Sequence, residues 1–168
     1  MALPAVQTEQ DRLLTVDTTA HPFLKSLGGH AGTDIFPLFL DPYNGLMVMR
    51  ARFAPGLTLP LHFHTGAVHM YTISGCWYYT EYPDQKQTDG CYLFEPGGSI
   101  HQFNTPADGG PTEVIFMLFG CNVNYMPDGT FLGLSDAGLI KNWVDRAIKE
   151  QDNGLQYISA AAPMYSAK

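Results

Sequence analysis

Glycine and proline, 17 and 12 of the 168 residues, cut this chain into short pieces that alternate or run apolar for about five to eight residues. Strands need that length and helices need more, so the pattern is that of an all-β sandwich or barrel. In "GLMVMRARFAPG", Met47, Met49, Ala51 and Phe53 fall on one face and Arg50 and Arg52 on the other, a half-buried strand stopped by Pro55-Gly56. Further strands are expected at "MYTIS", "CWYYTEY", "CYLFE" and "EVIFMLFG", with turns at "PDQKQTDG", "EPGGS" and "PADGGP". The run Val114 to Phe119 is apolar on both faces and must be covered on both, as a central strand or at a subunit contact.

One helix is expected, over about residues 136–151. Ser135 is placed to cap it, and Leu139, Ile140, Trp143, Val144, Ala147 and Ile148 form one stripe that would pack on the outside of the barrel. The first dozen residues and those after Gly154 carry no strong pattern, and nothing in the composition divides the chain, so one domain over residues 1–168 is the expectation. Cys76, Cys91 and Cys121 are odd in number, far apart and set in apolar runs, which reads as reduced thiols and not as a disulfide framework.

Charge excludes some functions. The formal net charge is −7, and the nine Lys and Arg are scattered. Phosphate backbones need clustered positive charge, so nucleic acid is not an expected partner. No apolar run reaches the length of a membrane span and "MALPAVQTEQDRLL" is no secretory leader, so a cytoplasmic protein without membrane contact is expected. With 45% apolar and only 15% charged residues, some apolar surface is expected to meet another copy, as a dimer or tetramer joined by strand or N-terminal arm exchange.

The chemistry is concentrated in "LPLHFHTGAVHMYTISG". In a strand, His62 and His64 project to one face, two imidazoles ready to chelate one ion. His69 follows beyond a short "TGAV" turn, and His101 comes just after the Pro-Gly-Gly turn of "GCYLFEPGGSIH". Imidazoles suit zinc, copper, nickel and iron alike, so spacing alone leaves the metal open.

The run of Gly56, His62-x-His64, His69 and Gly75 (residues 56–75) resembles the first motif of the cupin superfamily, in which a Glu stands where His69 stands. Gly90, Pro96-x-Gly98 and His101 (residues 90–104) resemble the second, with Asn104 one position short of the usual Asn. The whole segment from "PLHFH" to "SIHQF" is similar to small cupin enzymes of the 2,4'-dihydroxyacetophenone dioxygenase type and, less closely, to acetylacetone-cleaving dioxygenases. The resemblance implies a double-stranded β-helix, or jelly-roll barrel, and one divalent ion, Fe(II) before Zn(II) or Ni(II), at His62, His64 and His101. His69 would be a fourth ligand or would hydrogen-bond a bound ligand or water.

Three neutral imidazoles leave the ion's charge uncompensated and several positions open, which favours an anionic chelating ligand beside dioxygen. The implied activity is oxygenative C–C cleavage of a small diketone or α-hydroxyketone bound as its enolate, with O2 as co-substrate. Phe53, Met49, Tyr71, Tyr78 and Phe103 are candidates for an apolar pocket wall. Glu95 and Glu81 are candidates to take the enolising proton. Two other readings stand beside this one. A non-catalytic metal or ligand sensor is disfavoured by the lack of an added helical DNA- or sigma-factor-binding segment. A metal-dependent sugar isomerase would polarise a carbonyl without oxygen.

Overall fold

The computed structural model describes residues 14–160. The expected patternless first dozen residues and the last part of the tail lie outside that range. Among these residues a short 3-10 helix (Leu27–Gly29) precedes twelve strands and one α-helix: β1 (Thr33–Asp41), β2 (Leu46–Phe53), β3 (Leu61–His64), β4 (Val68–Ser74), β5 (Cys76–Tyr79), β6 (Tyr82–Thr88), β7 (Tyr92–Glu95), β8 (Phe103–Asn104), β9 (Thr112–Phe119), β10 (Asn122–Tyr125), β11 (Phe131–Ser135), α1 (Ala137–Glu150) and β12 (Ile158–Ser159).

Six strands form one sheet in the order β12-β1-β2-β9-β4-β7, and the facing wall consists of β11-β10-β3 and β6-β5-β8. The two halves of that wall are stitched by reciprocal backbone hydrogen bonds between His62 and His101 and by a bridge between Thr58 and Asn104. The result is the expected all-β jelly-roll barrel with a helix outside.

Period-two alternation explains which side chains fill it. On β2, Met47, Met49, Ala51 and Phe53 are buried, as expected. Register then builds rows across the sheet: Met47, Leu118, Val68 and Glu95 share one, and Met49, Phe116, Met70 and Leu93 the next. The doubly apolar run 114–119 belongs to β9, which is indeed central. Its inner face is buried, while Met117 and Phe119 join Tyr71, Ile73, Tyr92 and Phe94 as exposed apolar residues on the outer face. At the centre of the core, fully buried Trp77 stacks on Phe103 at 5.0 Å and donates its indole N–H to Thr72 Oγ1 at 2.9 Å.

Helix α1 is capped by Asp136, whose carboxylate accepts the Leu139 N–H at 2.7 Å; Ser135, the expected cap, ends β11 instead. Ala137, Ile140, Val144 and Ala147 are its buried stripe. Trp143 lies against Gly28, where φ is +63° and a Cβ would come within 2.5 Å of the indole, so only glycine lets the helix dock there.

Several elements differ from the sequence expectation. The expected turn "PDQKQTDG" falls largely in β6, an edge strand exposed almost throughout that is held by backbone pairing to β5. Strands β1, β10 and β11 add to those expected from the sequence. Arg50 and Arg52, on the face of β2 opposite the core, clamp the buried carboxylate of Glu113 and lie over the Phe23 ring at 5.2 and 4.3 Å. The three cysteines are free and half-buried. No helix among the described residues is long and apolar enough to cross a membrane.

Candidate metal centre

Backbone pairing brings the site together. His62 and His64 sit two residues apart on β3, so both point into the barrel. The reciprocal hydrogen bonds of His62 with His101, 3.0 and 2.9 Å long, place the third imidazole beside them. The Gly98 N–H, donating to His64 O at 2.7 Å, anchors the Pro-Gly-Gly turn that delivers His101. Gly75 closes the first motif at φ +91°, its Cα so close to the Thr112 backbone that a Cβ would clash at 2.7 Å. The three histidines are all buried, their ring centroids are 4.6 to 5.1 Å apart, and their donor nitrogens lie within 4.8 Å of one another. They form the one such grouping of His, Cys, Asp and Glu among the described residues.

Second partners fix which nitrogen faces inward. His62 Nδ1 is 2.7 Å from the Pro60 carbonyl, and His64 Nδ1 is 2.5 Å from Asn122 Oδ1 on β10. A neutral imidazole that donates through Nδ1 presents a bare lone pair at Nε2, the form a metal requires. His64 Nε2 and His101 Nε2 are 3.3 Å apart. With His101 also bare at Nε2, that separation is one that two ligands of a single ion have, and the donor set fits a divalent ion.

Burial holds the His62 imidazole down at about 4, against 6.5 for a free histidine, and lowers His101 in the same direction. The unfolded chain therefore binds more protons than the folded one between pH 6.5 and 4. The stability of the metal-free protein is expected to be complete above pH 6.5 and to fall as pH drops toward 4, by about 3 kcal/mol from His62 alone. Urea midpoints measured from pH 7 to 4 would show this decline, and His62→Ala should flatten it; an unchanged slope in the variant would contradict the assignment.

Glu95 is brought to the cluster. Only 4% exposed, it lies across from Val68 in register at the end of β7, with Oε2 at 3.0 Å from His64 Nε2 and 3.3 Å from His101 Nε2. Its other oxygen accepts the Tyr79 hydroxyl. Burial pushes its carboxyl upward, but the neighbouring His64 and His101 imidazoles and the Tyr79 phenol outweigh that and hold it below its usual range. The Tyr79 phenol is driven far up by burial and by Glu95, and stays protonated.

The structure does not bring His69 to the cluster. On β4 the inward positions are Val68, Met70 and Thr72, so His69 points to the outer face, its Nδ1 2.7 Å from the Tyr92 hydroxyl and its ring against Phe94. Glu81 is also apart: it is exposed, and its Oε2 accepts the backbone N–H of Gln102 at 3.0 Å.

Between the six-stranded sheet, β10, β11 and α1 lies a cavity of about 450 Å3 that reaches His62 and Asn122. Met49 and Phe53 line it, as expected; Phe103 is core, Tyr71 faces outward, and Tyr78 is not among its lining residues. Its walls are mainly apolar, with His30, Thr33, Asn124 and Ser135 as further polar groups and no charged residue. His30 and the β10–β11 hairpin were missed from sequence, because they meet the site only through pairing of β10 with β3 and docking of α1.

A cupin barrel with a buried three-histidine cluster, one member of which borders an apolar cavity, defines the class. The chain belongs to the ChrR cupin-like domain family, whose model matches residues 11–121. A crystal structure from Ralstonia eutropha JMP134, of a protein of unknown function with a cupin-like fold, is 83% identical, with a TM-score of 0.92 over 95% of this chain and 99% of that one. An RmlC-like cupin from the same organism is 18% identical, with a TM-score of 0.81 over 89% and 95% of the two chains. An acetylacetone dioxygenase from Acinetobacter johnsonii is 12% identical, with a TM-score of 0.68 over 86% and 99%. These last two share the fold. No curated protein matches the chain.

Proposed function

We propose that this protein is an iron(II)-dependent dioxygenase that cleaves a C–C bond of a small diketone or α-hydroxyketone. The observation that carries the reading is the convergence of three buried imidazoles, two with Nδ1 held by acceptors and one of them, His62, bordering an apolar cavity. The fold shared with an acetylacetone dioxygenase supports it.

His62, His64 and His101 would hold the ion. When bound, iron(II) supplies Lewis acidity toward a chelating enolate and the electrons that activate dioxygen. Pro60 O and Asn122 Oδ1 fix the imidazole rings, so the donors are set before the ligand arrives. Apolar walls strip water from the substrate, and the absence of charge on the lining favours a ketone that enters neutral and becomes anionic only at the centre. In the overall reaction the bond that breaks joins the two oxygenated carbons of an α-hydroxyketone, or a carbonyl carbon and the central carbon of a 1,3-diketone, and O2 contributes one oxygen atom to each fragment and is the oxidant. Of the two carboxylates, only Glu95 is at the cluster. The test is iron content together with ketone-dependent oxygen uptake. Turnover of the ketone at an undiminished rate without oxygen would instead mark an isomerase.

The same reading includes a homo-oligomer. The outer face formed by Tyr71, Ile73, Tyr92, Phe94, Met117 and Phe119 is a contiguous exposed apolar surface of the kind that meets another copy. Sedimentation at micromolar concentration is expected to show a dimer or larger species that Phe94→Glu shifts toward monomer. A wild-type monomer would remove this part.

A further inference from the structure

We propose that Glu95 is a fourth protein ligand of the metal, bound through Oε2, so that β7 supplies the carboxylate that β4 lacks. This rests on the three-histidine reading above and adds a ligand to it.

Three observations carry the inference. First, Oε2 is buried and has no hydrogen-bond donor among the described residues, while Oε1 is satisfied by the Tyr79 hydroxyl. A buried carboxylate oxygen left without a partner is costly, and so is rare.

Second, the separations among Oε2 and the two nearest imidazole nitrogens are those of ligands sharing one ion. Donors bound at about 2.0–2.2 Å lie roughly 3.0 Å apart when adjacent in an octahedron and roughly 3.4 Å apart in a tetrahedron. Oε2 is 3.0 Å from His64 Nε2 and 3.3 Å from His101 Nε2, and those two nitrogens are 3.3 Å apart. Once both Nε2 atoms bind a metal they carry no proton to give Oε2, and the ion itself becomes the partner that the oxygen lacks.

Third, the placement is built. Val68 is the inward residue of β4 just after the histidine pair, and Glu95 is its register partner on β7. The Tyr79 hydroxyl holds the far oxygen and so aims the near one. Glu95 does not line the cavity, nor do His64 and His101, so it shares their place behind His62 and not that of a base meeting substrate. With this ligand a divalent ion would carry a net charge of one.

The experiment uses the full chain loaded with Co(II), comparing wild type with Glu95→Gln. The amide is isosteric but uncharged. The proposal predicts a changed Co(II) visible spectrum and Co(II) affinity reduced by about 100-fold or more in competition with a chromophoric chelator. The wild-type protein gives an independent reading, which stands even if the variant does not fold: loading with zinc should shift a carboxylate stretching band in the infrared difference spectrum. Wild-type spectrum and affinity in Glu95→Gln, or no carboxylate shift on zinc loading, overturns the proposal and leaves the three-histidine centre standing. A wild-type chain that binds no Co(II) overturns both.

Discussion

Replacing His101 with alanine is expected to abolish metal binding and oxygen uptake together, and His62→Ala to do the same. Each imidazole is buried, so no water-exposed side chain can take its place, and loss of a direct ligand should weaken affinity beyond the roughly 10- to 100-fold cost of losing a group that only orients one. The effect on folding should be smaller. His62 and His101 pair through their backbones, and those hydrogen bonds survive truncation of the side chains. Metal analysis, oxygen consumption and circular dichroism on the same samples check this. Either variant retaining iron and turnover would show that the ligands have been wrongly assigned.

The second large effect is structural. Trp77→Ala removes the largest fully buried side chain, its stacking on Phe103 and its hydrogen bond to Thr72. Truncations of this kind cost about 3–5 kcal/mol. For a chain of this length that lowers Tm by on the order of 10 °C. Phe103 lies two residues beyond His101 and also packs on Phe53 of the cavity wall, so metal affinity should fall with stability. Thermal unfolding that shifts by less than about 2 °C would contradict this view of the core.

How much of this was legible in the sequence depends on what each residue touches. The alternation in β2 was readable because one of its faces is core and the other is not. Strand β6 was not, since its side chains are nearly all exposed and only its backbone is paired. In β1 the signal is broken at Pro37, where the register with β2 slips by a bulge. The histidine pair was readable because both residues lie on one strand, where a spacing of two guarantees a shared face.

His69 shows where such counting stops. Between His64 and His69 the chain turns, so parity on β3 says nothing about parity on β4, and the inward position is Val68. Glu95 shows the complementary limit. It was singled out as a carboxylate before a proline, but its neighbours come from the register of β7 with β4 and from the reach of Tyr79 on β5. Cross-strand relations of that kind are a property of the fold, and no spacing along the chain records them.

The most direct test follows iron-loaded protein with a panel of small 1,3-diketones and α-hydroxyketones in an oxygen electrode, repeated under strict anaerobiosis. The account predicts that at least one ketone is consumed with about one O2 per C–C bond cleaved, and that no substrate is consumed without oxygen. Undiminished anaerobic turnover, or a firmly held zinc that admits no ketone and supports no oxygen uptake, would contradict it.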